Sequence, residues 1–210
     1  MSGLLIAIEG LDASGKATQS KRLAARLTGF VFSFPRYDAL PLGPVIRAHL
    51  LGQVALRDWD KAGDVYRIHA ADATMFQSLM LADKCDSSVE IRKMLAGGRH
   101  VVCDRWIPSS LCYGRGDKLD PAWLDRMHAT LPQADINVFL NVSPEEALRR
   151  RPEARDRYEL DRQKQALVRR NYEHLWAEHK GDPRWAVVDG EADVDTVEEH
   201  VWQAVQRVLR

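Results

Sequence analysis

The sequence predicts a three-layer α/β fold in which helices cover both faces of a parallel sheet. Short apolar runs alternate with helical patterns along all 210 residues, and this alternation is typical of parallel strands joined by crossover helices. Each run is short and mostly apolar, which is typical of parallel strands that are buried on both faces. No repeat, low-complexity stretch or long linker divides the chain. We therefore expect a single domain spanning residues 1–210.

Five apolar runs are the candidate strands, and helical patterns lie between them. We expect the strands at LLIAIE, FVFSF, HVVCD, INVFLNV and WAVVD, which occupy residues 4–9, 30–34, 100–104, 136–142 and 185–189. The segment TQSKRLAARL predicts the first helix, because Leu23, Ala24 and Leu27 fall on one face at helical spacing. A later helix is predicted in SPEEALRRR, where Ser143 is the expected N-cap and Glu146 completes the spacing of a capping box.

Composition and charge argue against several classes of function. The chain has 30 basic and 30 acidic residues, without the basic excess that is usual in nucleic-acid or membrane-surface binders. Its three cysteines form no CxxC pair, which argues against a disulfide framework or a zinc site and favours a reducing compartment. The N-terminal apolar run is too short to span a bilayer and no basic segment precedes it. We therefore expect a cytoplasmic protein that binds small ligands, with no nucleic-acid or membrane partner.

The segment GLDASGKAT, between the first strand and the first helix, predicts a loop that binds the phosphates of a nucleotide. Its glycines let backbone N–H groups turn toward phosphate oxygens, and the lysine and the helix N-terminus add positive charge. Strand, glycines, lysine and helix coincide here, which favours this interpretation over a tight turn with an exposed lysine. The predicted nucleotide-binding residues are Gly10, Asp12, Ala13, Ser14, Gly15, Lys16, Ala17 and Thr18.

One position of this loop departs from the usual Gly-x4-Gly-Lys-[Ser/Thr] pattern. Ala17 stands where a hydroxyl normally helps to hold Mg²⁺, and the hydroxyl comes one residue later, at Thr18. Because Mg²⁺ commonly keeps several waters, the nucleotide phosphates, water and a carboxylate can still hold it. We therefore expect metal binding to shift toward Asp12 or Asp104.

Three further motifs follow the loop in a fixed order: FPRYDALPLG at 34–43, DRWIPSSLCYG at 104–114 and RRRPEARDRYE at 149–159. Together with the loop they resemble the thymidylate kinases, which phosphorylate dTMP with ATP and Mg²⁺. The resemblance covers nearly the whole chain, and the ordered set is more specific than any single motif. It implies a P-loop kinase fold with a five-stranded parallel sheet, a small arginine-rich lid at about residues 149–160, and a homodimer.

The resemblance also implies how the acceptor nucleotide is held. Asp12 would lie near the deoxyribose 3′-hydroxyl and the metal, and Asp104 would orient Mg²⁺ through water. Arg36, in the FP segment, would grip the acceptor phosphate, and Arg105 would bridge it. Tyr113 matches the aromatic residue that packs on the deoxyribose and disfavours a 2′-hydroxyl. Arginines suit these positions because the planar guanidinium binds phosphate oxygens in pairs.

Two positions of the implied base pocket differ from the family pattern. The base-recognising arginine aligns with Lys84, which can still donate to thymine O4, and the stacking aromatic aligns with Met80, which covers a ring less rigidly. These departures leave open a modified pyrimidine, or a shift of register that brings Phe76 into the pocket. The remaining implied substrate-binding residues are Phe34, Ser109 and Ser110.

The migrating phosphoryl group also needs a cation, because transfer is mostly positioning and charge neutralisation. The basic residue that some relatives carry in the phosphate loop is replaced here by the neutral Ala13. The family's alternative is a lid arginine, and Arg151 and Arg155 are the preferred catalytic candidates beside Lys16 and Arg105. The cluster consists of Arg149, Arg150, Arg151, Arg155 and Arg157. A solvated helix end is the other interpretation of this run of charge.

Three functions are compatible with these residues. The leading hypothesis is a thymidylate kinase that makes dTDP and ADP from dTMP and ATP. The second is the same reaction on another or a modified deoxynucleoside monophosphate, which Met80 and Lys84 suggest. The third is a nucleotide-binding protein without catalysis, which Ala17 suggests. Arg105 and the lid arginines argue against the third, because a passive ATP binder needs neither.

Overall fold

All five expected strands form, and they join in one parallel sheet. The structure, a computed structural model, describes residues 2–51, 70–151 and 161–209. The strands are β1 (Leu5–Glu9), β2 (Phe30–Ser33), β3 (Val101–Asp104), β4 (Ile136–Asn141) and β5 (Trp185–Asp189). Their order in the sheet is β2-β3-β1-β4-β5, and every neighbouring pair is parallel. The predicted α/β class and the five-stranded parallel sheet are therefore confirmed.

Helices connect these strands as the crossover pattern requires. Within the described ranges they are α1 (Lys16–Leu27), α2 (Leu42–Leu50), α3 (Ala70–Ala96), α4 (Ile107–Gly116), α5 (Pro121–His128), α6 (Pro144–Arg150), α7 (Arg162–Glu178) and α8 (Val194–Gln206). None of these helices combines the length and the apolar composition that crossing a bilayer requires. Residues 152–160, which form most of the expected lid, lie outside the described residues.

The central strand β1 is buried on both faces, as its continuous apolar run predicts. Leu5 and Ala7 belong to one hydrophobic cluster, which α3, α4, α5 and α7 cover. Ile6 and Ile8 belong to the opposite cluster, which α1 and α8 cover. Leu23 of α1 packs in this second cluster, so the predicted apolar face of the first helix is confirmed. The alternation of strand side chains thus produces three layers.

The start of α6 confirms half of the predicted capping box. The backbone N–H of Glu146 donates to Oγ of Ser143 across 3.2 Å, so Ser143 is the N-cap. The reciprocal bond is not made by Glu146, because its carboxylate binds Arg149 and Arg150, each at 2.7 Å. Glu191 accepts the backbone N–H of Ser143 instead, at 2.8 Å. Two neighbouring guanidinium groups outcompete one backbone N–H for the same carboxylate.

The sheet order places a ligand-binding crevice at the carboxyl end of β1. The strands on either side of β1 are β3 and β4. The connection after β1 leads to β2 on one side of the sheet, whereas the connection after β3 crosses β1 and leads to β4 on the other side. At such a point the loops after adjacent strands diverge and leave a crevice. The phosphate-loop segment follows β1, and Asp104 and Arg105 follow β3, so both motifs lie at this edge.

Candidate active site

The loop between β1 and α1 turns its backbone toward open space at the start of the helix. Gly10, Ala13 and Gly15 all have positive φ angles, of 147°, 59° and 93°. At Gly10 a Cβ would lie 2.8 Å from the carbonyl oxygen of Leu140, so only glycine fits there. Gly15 is the N-cap of α1, and no side chain caps the N–H groups of the first turn. This arrangement suits an anion at the helix N-terminus.

Lys16 is buried within its own loop. Its side chain is only 6% exposed, and its ammonium donates to the carbonyl oxygen of Leu11 and, at 3.4 Å, to Oγ of Ser14. Burial lowers the pKa of Lys16 to about 8, and the neighbouring Arg105 adds to this effect. The protein thus compensates the positive charge of the ammonium only in part, and a polyphosphate bound in the loop would supply the missing negative charge.

Arg105 joins the end of β3 to the phosphate loop. One guanidinium nitrogen donates to Oδ1 of Asp12 at 2.7 Å, and the other donates to the carbonyl oxygen of Gly10 at 3.0 Å and to Oγ of Ser109 at 3.2 Å. The hydroxyl of Tyr113 donates to the other carboxylate oxygen of Asp12 at 3.0 Å. Burial alone would raise the pKa of Asp12, but Arg105 and Lys16 outweigh it and hold that pKa well below its usual range.

The backbone of Arg105 is strained. Its φ angle is +68°, a conformation that side chains other than glycine adopt at a cost of roughly 1–3 kcal/mol. A hydrogen bond of 3.0 Å from its backbone N–H to the carbonyl oxygen of Ile8 holds this conformation. Strain of this kind persists where the surrounding structure enforces it, and here it aims the guanidinium back across the carboxyl end of β1.

A buried carboxylate supports this cluster from below, and sequence reasoning missed it. Glu9 is fully buried at the end of β1 and accepts the backbone N–H of Trp106 at 2.7 Å, the hydroxyl of Tyr172 at 3.0 Å and the hydroxyl of Ser109. Burial raises the pKa of Glu9, although these hydrogen bonds and the charge of Arg105 oppose the rise. A charged residue that ends an apolar strand was the available signal for this role.

Next to Arg105 lies an open pocket that collects most of the predicted substrate-binding residues. Seven of them line it: Asp12, Met80, Lys84, Arg105, Ser109, Ser110 and Tyr113. Phe76, which the alternative register would bring into the pocket, lines it together with Met80, and Pro35, Tyr37, Leu50 and Gln77 complete the lining. The pocket therefore has a charged end beside the phosphate loop, a polar far end on α3 and mostly apolar walls between them, which is the usual composition of a small-molecule site.

Lys84 provides the polar far end of the pocket. It is 1% exposed, and its ammonium donates to Oγ of Ser110 at 2.9 Å. The ring of Phe34 lies beneath it, with 5.6 Å between the ammonium and the ring centroid, so Phe34 supports the lysine and does not line the pocket. Burial lowers the pKa of Lys84 to about 8. The Ser110 hydroxyl contacts only one of the three ammonium protons.

Arg36 does not line the pocket. Its guanidinium binds Oδ1 of the buried Asp83 at 2.8 Å and Oδ2 of Asp86 at 2.6 Å, and its backbone N–H donates to Asp83 at 3.0 Å. These contacts fasten the FP segment to α3. The predicted contact of Arg36 with the acceptor phosphate stays a prediction.

The expected lid is described only in part. Arg151 ends α6, next to Arg149 and Arg150, which bind Glu146. Arg155 lies outside the described residues. The catalytic roles assigned to Arg151 and Arg155 therefore stay predictions.

The carboxylate of Asp104 is better suited than that of Asp12 to hold a hydrated magnesium ion. Asp104 is partly exposed at the end of β3, and its carboxylate makes no hydrogen bond or ion pair with the described residues. Its negative charge partly opposes the lowering of the Lys16 pKa that burial causes, so the two side chains lie near each other. Asp12 is already paired with Arg105. The described residues hold no cluster of three or more candidate metal ligands.

Comparison with known proteins agrees with this geometry. A family model described as thymidylate kinase matches residues 8–201. Thymidylate kinase from Thermomicrobium roseum is 34% identical over 98% of this chain and 95% of its own length, and the Caenorhabditis elegans thymidylate kinase is 29% identical over 99% and 92%. The structure of thymidylate kinase from Candida albicans superimposes with a TM-score of 0.78 at 26% identity, covering 98% of this chain and 92% of that one. The chain belongs to the thymidylate kinase family.

Proposed function

We propose that this protein transfers the γ-phosphoryl group of ATP to dTMP, giving ADP and dTDP. The observation that carries the proposal is the juxtaposition of the two sites: the loop with Lys16 opens beside a pocket whose near wall is the Arg105–Asp12 pair. Such a pairing suits a reaction in which two anionic nucleotides meet end to end, because both phosphate groups must be gripped at once. The relatives named thymidylate kinase support the same conclusion.

The donor side relies on the loop and its lysine. The uncapped N–H groups at the start of α1 would bind phosphate oxygens, and Lys16 would leave its contact with Leu11 to bind them as well. When bound, Mg²⁺ near Asp104 would neutralise charge that develops on the β- and γ-phosphates. Asp104 would hold the ion through water, because its carboxylate at the end of β3 is partly exposed and makes no bond with the described part of the chain.

The acceptor side relies on Arg105, Asp12 and Tyr113. The guanidinium of Arg105 faces the pocket from a fixed position and has five donors, so it can bind the dTMP phosphate while it keeps part of its contact with Asp12. The Asp12 carboxylate can accept the deoxyribose 3′-hydroxyl. Tyr113 lines the pocket beside it, where a ring would restrict space around the sugar.

The polar end of the pocket favours a base with an oxygen at position 4. The Lys84 ammonium can only donate hydrogen bonds, because it has no acceptor atom. It can therefore bind thymine O4, whereas the amino group of cytosine offers it only another donor. Met80 lines the pocket one turn earlier on α3 and can cover a ring face. These two residues support thymine as the base despite their departure from the family pattern.

A coupled ADP-release assay with a panel of nucleoside monophosphates tests the proposed function. We expect ADP formation to depend on dTMP and to be weaker with dUMP, dCMP and dGMP. Faster ADP formation with another monophosphate would show that this monophosphate, and not dTMP, is the substrate. Nucleotide binding without turnover on any acceptor would contradict the proposal and favour a non-catalytic protein. The panel is informative because broad substrate specificity is described for the Candida albicans enzyme.

Tyr113 provides a prediction about sugar selection. Tyr113→Ala should narrow the preference for dTMP over its ribonucleotide by about tenfold, because it removes the ring that restricts the space next to the 2′ position. Tyr113→Phe is the matched control: it keeps the ring and loses the hydroxyl that bonds to Asp12 and Arg105. The ratio of kcat/KM for the two substrates is the measurement. A ratio that Tyr113→Ala leaves unchanged would remove Tyr113 from sugar selection.

The lid arginines provide a second prediction. Since Ala13 places no cation in the loop, Arg151 and Arg155 are proposed to neutralise the migrating phosphoryl group. The double alanine variant should lower the single-turnover rate by about a hundredfold and change dTMP binding far less, because the contact forms chiefly in the transition state. Arg149→Ala is the control, since Arg149 already binds Glu146 on an exposed surface. A wild-type rate in the double variant would contradict the lid assignment.

We also propose a single-domain homodimer in the cytoplasm, without a nucleic-acid partner. The long helix α3 has apolar side chains on more than one side: Phe76 and Ile91 are buried, whereas Met75 and Val89 are exposed. A second copy would cover the exposed pair. The cysteines are free thiols, which suits a reducing compartment. Sedimentation of the wild type and of a Val89→Lys variant tests the dimer.

A further inference from the structure

One buried polar side chain in the pocket has an amide oxygen without a partner among the residues that the structure describes. Gln77, on α3, is 2% exposed and lines the pocket beside Arg105 and Lys84. Its amide oxygen makes no hydrogen bond with any residue that the structure describes. Buried polar atoms in proteins are nearly always bonded, and an unpaired amide costs the desolvation of that group. This cost is understandable if a ligand supplies the missing partner.

The position of Gln77 on α3 relates it to the residues that surround the base. Gln77, Met80 and Lys84 are three and then four residues apart, so they form one stripe along the helix. All three line the pocket. Gln77 and Lys84 are separated by seven residues, which is a rise of about 10.5 Å along the helix. Their long side chains can lean toward each other, so that their polar ends are separated by about the width of a pyrimidine ring. A ring lying on Met80 would therefore have the ammonium of Lys84 at one edge and the carboxamide of Gln77 at another.

Apart from Lys84, the other polar side chains of the pocket already have partners within the protein. Asp12 and Tyr113 bond to each other and to Arg105 at the charged end. Ser109 bonds to Glu9 and Tyr172, and Ser110 accepts from Lys84. Gln77 is thus the polar side chain on this stripe that remains for the base edge after Lys84 has taken one oxygen.

We propose that Gln77 is a specificity-determining residue that binds the imide edge of the acceptor's pyrimidine. Its amide oxygen accepts the N3–H of the base, and its amide nitrogen donates to the neighbouring O2, while Lys84 donates to O4. A carboxamide and an imide are complementary in this way, because each offers one donor beside one acceptor. The inference rests on the proposed function, since it requires a nucleoside monophosphate in this pocket.

The proposal predicts an opposite effect on stability and on substrate binding. Gln77→Met keeps the length of the side chain and removes the carboxamide. Because this removes an unpaired buried polar group, the free variant should melt at the same temperature as the wild type or higher. The same change should raise KM for dTMP by roughly fivefold to tenfold, since one neutral pair of hydrogen bonds is lost. A residue that serves only the fold would do the reverse and lower the melting temperature.

The test compares two substrates, dTMP and its N3-methyl derivative, on the wild type, on Gln77→Met and on Gln77→Leu. In the wild type the methyl group blocks the N3–H contact, so kcat/KM for the derivative should be much lower than for dTMP. In both Gln77 variants this ratio should shrink by at least about fivefold. Met80→Leu is the matched control, because it changes an apolar neighbour on the same stripe and should affect both substrates equally.

The outcomes separate this inference from the proposed function. Turnover of dTMP by the wild type, with an unchanged substrate ratio in both Gln77 variants, would overturn the role of Gln77 and leave the kinase assignment intact. A lower melting temperature in both variants, with equal losses on both substrates, would assign Gln77 to the fold and would also overturn it. Absence of dTMP turnover in the wild type would overturn the proposed function, and the inference with it.

Discussion

Lys16→Ala should lower kcat by roughly a thousandfold, because the ammonium binds the phosphates that transfer requires and its charge is not replaced in this loop. Ala13 is neutral and Ala17 has no hydroxyl, so this loop carries no substitute for the lost charge. The fold should remain intact. Burial lowers the pKa of Lys16 to about 8, which means that the folded protein stabilises the charged form poorly. Removal of the ammonium therefore removes little stability.

Single-turnover transfer and the thermal melting temperature are the two measurements for Lys16→Ala. Lys21→Ala is the matched control, because Lys21 is an exposed lysine on the same helix. The control should retain wild-type turnover. If Lys16→Ala transfers phosphate as fast as the control does, the loop after β1 does not hold the donor.

Arg105→Lys should lower kcat/KM for dTMP several hundredfold, which is the second-largest effect that we expect. The planar guanidinium contacts Asp12 with one nitrogen and Gly10 and Ser109 with the other. A lysine ammonium is a single point of charge, so it cannot hold Asp12 and an acceptor phosphate at the same time. It also weakens the ion pair that compensates a partly buried carboxylate.

The effect should be specific to the acceptor. KM for ATP should change little in Arg105→Lys, because Lys16 and the loop N–H groups bind the donor. Arg126→Lys, on an exposed part of α5, is the control for the substitution itself and should behave as the wild type. Equal losses in dTMP and ATP binding would contradict the assignment of Arg105 to the acceptor, as would a wild-type kcat/KM for dTMP.

Much of the fold follows from local sequence patterns. The five strands begin and end within one residue of the apolar runs that predict them. The three central strands are buried on both faces as expected, whereas the edge strands β2 and β5 keep exposed side chains because each has a neighbour on one side only. Leu23 packs inward and Ser143 caps its helix, since both depend on neighbours only a few residues away. The clustering of Asp104 and Arg105 beside the loop follows from parallel strands, whose carboxyl ends lie at one edge.

The contacts that define the site are harder to predict, because they join residues far apart in the sequence. Arg105 and Asp12 are 93 positions apart, and nothing in either motif predicts that the guanidinium binds the carboxylate. Asp83 draws Arg36 to α3 across 47 positions. The only indication of the role of Glu9 in the sequence is that a charged residue ends an apolar strand. Gln77 gave none, because a glutamine in a helix is usually solvated and its burial here depends on packing around the pocket.

Phosphorus NMR of a mixture of ATP, dTMP, Mg²⁺ and the purified protein tests the central claim most directly, because it identifies the product without coupling enzymes. The account predicts that the dTMP resonance disappears while the two resonances of dTDP appear, in equal amount with ADP. Lys16→Ala, run in parallel, should show this conversion only after far longer incubation. ADP accompanied by free phosphate and unchanged dTMP would show hydrolysis in place of transfer, and it would contradict the assignment of the pocket beside Arg105 to the acceptor nucleotide.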